Sequence, residues 1–124
     1  YGFIPHTLGE DGDPLDALVL ARSPFIPGAV VRARPVGVLL MEDEQGGDEK
    51  LLCVPVDALF PYYTSVGKRD DLPTIVMQQV EHFFSHYRDL EPGKCVRIRG
   101  WGDVEQAHAI IMAAIDRSKA HSAC

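Results

Sequence analysis

Half of the chain's acidic residues are packed into two short segments, and this constrains its folding more than any other feature. Residues 10–16 hold Glu10, Asp11, Asp13 and Asp16, and residues 42–49 hold Glu42, Asp43, Glu44, Asp48 and Glu49. Nine of the eighteen carboxylates therefore occupy fifteen positions in a chain of 124 residues. Like charges at such density repel one another unless cations neutralise them. Both segments border apolar runs, so each reads as a loop fixed to a buried strand. Hard divalent cations such as Mg²⁺ prefer oxygen ligands, and short Asp side chains at loop tips supply them.

Over the whole chain, twelve Lys and Arg against eighteen Asp and Glu leave a formal net charge of −6. Nucleic acids and anionic membrane surfaces select Lys/Arg patches, so neither is an expected partner. No apolar stretch approaches the roughly 20 residues of a transmembrane helix, and no signal peptide is visible. Cys53, Cys95 and Cys124 are too few and too widely spaced for a disulfide framework or a zinc site. They read as two core thiols and one at a frayed end, in a reducing compartment.

Apolar periodicity divides the chain. Tyr1–Ile4 reads as a strand end, Leu15–Ala21 as a buried strand, and Ala29–Met41 as a strand bent or interrupted at Pro35 and Gly37. Glu42–Lys50 reads as an acidic loop, Leu51–Val56 as another strand, and Phe60–Asp71 as irregular. Val76, Val80, Phe83 and Tyr87 form one helical stripe, with Asp70 or Asp71 as its cap. Lys94–Trp101 alternates as a strand, with Arg97 and Arg99 on a solvated face. Asp103 caps a last helix carrying Val104, Ala107, His108, Ile111 and Ile115 on one face, and Ser118–Cys124 reads as a frayed tail. Trp101 is expected to pack the last strand against this helix. Strands followed by helix, strand and helix indicate an α+β domain.

The spacing in Asp11-Gly-Asp-Pro-Leu-Asp16 lets three carboxylates converge at the start of a strand. An EF-hand is excluded, because its loop positions 6 and 12 are here Asp16 and Arg22. The other reading is a turn of solvated Asp residues; periodicity alone does not bring the two acidic segments together. His82 and His86 share a helix face, which is open to three readings: a subunit contact, a solvated face or a metal pair. His6 and His108 read as structural, and Phe83 and Phe84 as core or interface aromatics.

Five segments, in order, resemble the soluble inorganic pyrophosphatases of family I, the bacterial branch most closely. They are Tyr1-Gly-Phe-Ile-Pro-His-Thr7 with Asp11–Asp16; Pro27-Gly-Ala-Val-Val31 with Arg34-Pro-Val-Gly-Val38; Met41-Glu-Asp-Glu44; Asp48-Glu-Lys50; and the stretch from His82 to Lys94. The resemblance implies an OB-like five-stranded antiparallel β-barrel, incomplete here, flanked by two main helices. It also implies Mg²⁺-dependent hydrolysis of pyrophosphate, with Mn²⁺ or other divalent cations as substitutes, in a cytoplasmic homo-oligomer that is a hexamer in the bacterial branch. Asp11, Asp16 and Asp48 match the main metal ligands, and Asp43 matches a ligand of the metals that arrive with substrate. Asp13 matches the carboxylate that deprotonates the attacking water, and Tyr1, Lys50 and Tyr87 match phosphate-binding groups. His82, His86 and Asp89 match subunit-contact positions. Arg88 stands where the branch usually has Lys, so it meets phosphate with a fork rather than a point charge. Family members carry a further segment before Tyr1, with a Glu, a Lys and an Arg of the site and additional barrel strands. The expectation is a single domain over residues 1–124, truncated at its N-terminus. The alternative function is a catalytically impaired remnant acting only in metal binding or subunit contacts.

Overall fold

The computed structural model describes residues 1–122. Its elements are β1 (Gly2–Phe3), β2 (Asp16–Val19), β3 (Ala33–Asp43), β4 (Gly46–Gly47), β5 (Lys50–Pro55), α1 (Thr74–His86), β6 (Val96–Gly102) and α2 (Val104–Ser122). The strands form one sheet in the order β1-β2-β5-β3-β4, with β6 on the other edge of β3. The α+β class and the two helices agree with the sequence reading. The sheet, however, is open along this path and mixed, because β2 and β5 run parallel while the other pairs are antiparallel.

β5 lies between β2 and β3, and all six of its residues are buried. Strands covered on both faces read as unbroken apolar runs, and side chains alternate between the faces. Leu51 and Cys53 join Ala17, Val38, Ala107 and Ala114 beneath α2. Leu52 and Val54 point the other way, to Val36, Val66 and Met77. Leu39, Met41 and Phe84 form a third cluster where α1 covers β6.

β3 is continuous, and the interruption expected at Pro35 and Gly37 is a register shift against β5. A second shift opposite β6 falls at Gly100, whose φ of +126° suits glycine alone. The acidic segment 42–50 proves to be a tight hairpin, with Glu42 and Asp43 completing β3 and Lys50 opening β5.

Several local expectations need correcting. α1 starts after Pro73; Asp71 instead accepts the Gly67 and Lys68 amides in the preceding turn. Its inward stripe is Met77, Val80, Phe84 and Tyr87, of which Met77 and Phe84 are buried and the other two partly so, while Phe83 is exposed. The stripe read from sequence was displaced because two adjacent phenylalanines fit the same period. Asp103 does cap α2, accepting the Gln106 amide at 2.8 Å. His108 lies on the exposed face, and α2 runs on to Ser122, so residues 118–122 are helical rather than a frayed tail. Trp101 packs towards α1, donating to Glu81 Oε2 at 3.3 Å, and not against α2. Cys53 is buried as expected, but Cys95 is exposed; Cys124 lies outside the described residues. Arg99 pairs with Glu42 on the solvated face of β6.

Arg34 organises the irregular stretch before α1. Its guanidinium donates to the carbonyls of Val66 and Tyr63 at 2.5 and 2.6 Å. Two parallel charge-assisted bonds hold a segment that lacks a ladder of its own.

Candidate active site

The strand directions bring the chemistry to one end of the sheet. β2 and β5 run parallel, so Asp16 and Lys50 begin their strands side by side, as register partners. β3 runs antiparallel to β5 and finishes at the same end with Asp43. Asp48 precedes Lys50 by two residues, and the triad forms around Lys50. Its ammonium donates to Asp16 Oδ2 at 2.5 Å and to Asp48 Oδ1 at 2.8 Å. The side chains of Lys50 and Asp48 are only 2% and 7% exposed.

Aromatic rings wall this group from water. The rings of Tyr1 and Phe84 each lie 5.6 Å from the ammonium and 5.8 Å from each other. Tyr87, at the end of α1, stacks edge-on to Phe84 at 5.2 Å. Such ring faces attract a desolvated cation. Arg88 follows, with Nη1 3.3 Å from Asp43 Oδ2 and 3.8 Å from Glu44 Oε1. Glu44 also accepts Lys94 Nζ at 2.9 Å, and that hydrogen bond draws its carboxyl down to about 2.

The first acidic segment, residues 10–16, meets this group from the side. Leu8–Pro14 forms a compact loop in which Asp11 Oδ1 accepts the Asp13 amide at 3.0 Å. Asp11 and Asp16 line a cavity of about 10 Å³ together with Asp48, Gly9, Gly47 and Glu49. The two acidic segments, far apart in sequence, thus share one polar recess. Asp13 is exposed on the loop, and its carboxylate does not line the cavity.

The charge balance is unusual. Burial pushes the Asp48 carboxyl up, against the opposing pull of Lys50. The Lys50 ammonium is disfavoured by its own burial, yet hydrogen bonds to Asp16, Asp48 and Tyr1 raise its pKa overall. Burial likewise raises the hydroxyls of Tyr1 and Tyr87, which stay neutral donors. Asp48 Oδ2 and the Tyr87 hydroxyl are buried and have no hydrogen-bond partner among the described residues. An orphaned carboxylate oxygen in a recess lined by further carboxylates fits a hard cation in donor chemistry. Among the described residues, however, no three His, Cys, Asp or Glu side chains are gathered into a ready-made metal cage. Lys50 fills the space between Asp16 and Asp48 instead.

The sequence reading did not single out Gly9, and it named Glu49 only as one of the clustered acids and Phe84 only as a core or interface aromatic, without bringing either to this recess. A Cβ on Gly9 would lie 2.9 Å from Asp11 Oδ1 and 3.1 Å from the Asp13 carbonyl, so a side chain there would push on the acidic turn. Its position just before the acidic turn was the available signal. Phe84 had none, being one of two adjacent phenylalanines. His86 pairs with Asp89 at 2.9 Å and stands 4.6 Å from His82, both rings exposed on α1.

The sequence profile of the inorganic pyrophosphatase family matches residues 1–119. The inorganic pyrophosphatase of Caulobacter vibrioides is 56% identical over 117 residues, covering 94% of this chain and 66% of the relative. That of Bradyrhizobium diazoefficiens is 56% identical over 119 residues, covering 96% of this chain and 67% of the relative. Solved inorganic pyrophosphatases have the same fold. Those of Helicobacter pylori and Thermus thermophilus superpose with TM-scores of 0.91 and 0.89 at 47% and 46% identity. Each match covers 94% of this chain, and 69% and 67% of the respective structures. The chain spans about two thirds of the length of these relatives. With this match along nearly its whole length, and with a recess that joins both acidic segments, the chain belongs to the inorganic pyrophosphatase family.

Proposed function

We propose that the protein hydrolyses inorganic pyrophosphate to two phosphates with the help of Mg²⁺. One observation carries most of the weight: a buried ammonium set between two carboxylates, beside an orphaned carboxylate oxygen. A site of such dense and opposite charge suits a substrate that is a polyanion bound with cations.

Asp11, Asp16 and Asp48 would hold the resident cation, and Asp43 one that enters with pyrophosphate. Mn²⁺ or another hard divalent ion would serve in the same carboxylates. The cation's contribution is to acidify a water and offset phosphoryl charge. Asp13, exposed on the loop, takes the proton of the attacking water. Lys50 and Arg88 neutralise the phosphate oxygens. Tyr1 and Tyr87, phenols whose burial pushes them further from ionisation, donate hydrogen bonds without adding charge. The orphaned Tyr87 hydroxyl supports this role.

The same reading includes a cytoplasmic homo-oligomer, a hexamer as in the bacterial branch. The supporting features are an exposed apolar face on α1, formed by Ile75 and Phe83 beside His82, and the absence among the described residues of any helix long and apolar enough to cross a membrane.

The test is phosphate release from pyrophosphate by the full gene product. Release that requires Mg²⁺ and stops in EDTA is expected. A protein that binds Mg²⁺ yet releases no phosphate would instead be the impaired remnant, confined to metal binding or subunit contacts.

A further inference from the structure

The acidic loop is fastened to α2 at Leu8. Leu8 donates its amide to the Ala114 carbonyl at 3.0 Å, and its own carbonyl accepts Arg117 Nη1 at 2.5 Å. Both polar groups of one backbone residue are therefore held by the helix, 109 positions away in sequence at Arg117. Arg117 is half-buried, and Gly9, the next residue of the loop, is buried.

A peptide unit is planar and trans. The Leu8 carbonyl and the Gly9 amide belong to one such unit and point in opposite directions. Arg117 grips the carbonyl end, and the amide end donates to the Asp13 carbonyl at 2.7 Å. The orientation of this plane therefore sets the turn in which the Asp13 amide reaches Asp11 Oδ1. At the loop's neck, Thr7 donates to the Ile4 carbonyl and accepts the Leu15 amide, which closes the segment independently of α2. The neck fixes where the loop starts and ends. Arg117 fixes the tilt of its acidic tip.

We infer that Arg117 is a positioning residue, which holds the Leu8–Gly9 peptide so that Asp11 faces the recess shared with Asp16 and Asp48 and Asp13 keeps its place on the exposed turn beside it. Arg117 touches neither carboxylate; its effect passes through the backbone of Leu8. This inference rests on the metal-site reading of those carboxylates.

The test pairs two measurements on the full gene product: Mn²⁺ binding by calorimetry, and amide hydrogen exchange in the loop. Arg117→Met is expected to weaken Mn²⁺ binding by about tenfold, the size typical of losing a group that orients a metal ligand. It should also speed exchange at Gly9, which depends on the gripped peptide, while the Leu15 amide bound to Thr7 stays protected. Arg117→Lys keeps the stem and one donor, so its affinity should lie between those of wild type and Arg117→Met; this variant also keeps the test open if Arg117→Met folds poorly. Unchanged Mn²⁺ affinity in Arg117→Met overturns the inference. So does exchange that quickens equally at Gly9, at Leu15 and through the sheet, since that is the signature of lost stability alone. Faster exchange confined to the tip, in a protein whose wild type binds no Mn²⁺, would support the Arg117 contact and overturn the metal reading instead.

Discussion

At the residue scale the decisive group is Lys50, a cation that stands where two carboxylates would otherwise repel. Removing one member of a buried ion pair costs roughly 3–5 kcal/mol, because the remaining charge is left uncompensated. Lys50→Met is therefore expected to lose about 3 kcal/mol of stability in EDTA, with part of the loss recovered on adding Mg²⁺ as the cation replaces the ammonium between Asp16 and Asp48. Urea unfolding with and without Mg²⁺ reads both effects, and an equal loss in the two conditions would count against a cation site there. Gly9 makes a steric prediction. A methyl at that position meets Asp11 Oδ1 and the Asp13 backbone, and overpacking of this kind costs about 1–3 kcal/mol. Gly9→Ala should lower the urea midpoint and weaken Mn²⁺ binding together. The acidic residues themselves were legible in the sequence, because charge density announces a site. Lys50 was singled out through family resemblance. Its position between Asp16 and Asp48 was not legible, since it depends on the parallel register of two strands 34 positions apart.

At the element scale, helix existence, the α2 cap at Asp103 and an irregularity near Pro35 and Gly37, which proves to be a register shift in a continuous strand, followed from period and residue type. The buried face of α1 did not follow, because Met77 and Phe84 are set one position on from Val76 and Phe83 and only tertiary packing separates the two choices. The same holds for Trp101, whose indole finds Glu81 on α1. Irregular segments are the least legible, since they lack a period, and here Arg34 replaces one. Hydrogen bonds from a charged donor contribute about 1.5–3 kcal/mol. Arg34→Met should destabilise the protein by about that range and speed proteolysis between Leu59 and Leu72, leaving the sheet protected. Uniform proteolysis along the chain would show that Arg34 acts on the whole fold.

At the scale of the whole molecule, the core is one sheet covered by α2 on one face and by α1 with the irregular segment on the other. Apolar runs announced the strands, but the open, mixed topology was not readable from them, because parallel pairing of β2 with β5 leaves no local trace. Cys53 reports on the integrity of this core. Its thiol is 5% exposed, and burial pushes it up to about 12 from an ordinary value near 9. A thiolate is the reactive form, so at pH 8 folded Cys53 should resist labelling and become reactive only on unfolding, when its pKa falls back. In a Cys95→Ala, Cys124→Ala variant the labelling rate should track the urea transition; fast labelling without urea would contradict the packing described. The site belongs to this scale as well, because three strand ends, one loop and the end of α1 meet there.

The central claim is that these elements assemble separate roles: Asp11 and Asp48 for the cation, and Asp13 for the proton. Steady-state pyrophosphate hydrolysis across a Mg²⁺ series, in wild type, Asp13→Asn and Asp48→Asn, tests it most directly. Asp13→Asn should lower kcat by about a hundredfold or more, the usual loss of a general base, at a nearly unchanged Mg²⁺ midpoint. Asp48→Asn should move that midpoint upward, with much of the rate recovered at high Mg²⁺. Parallel loss of rate and of Mg²⁺ affinity in both variants would contradict the division of roles.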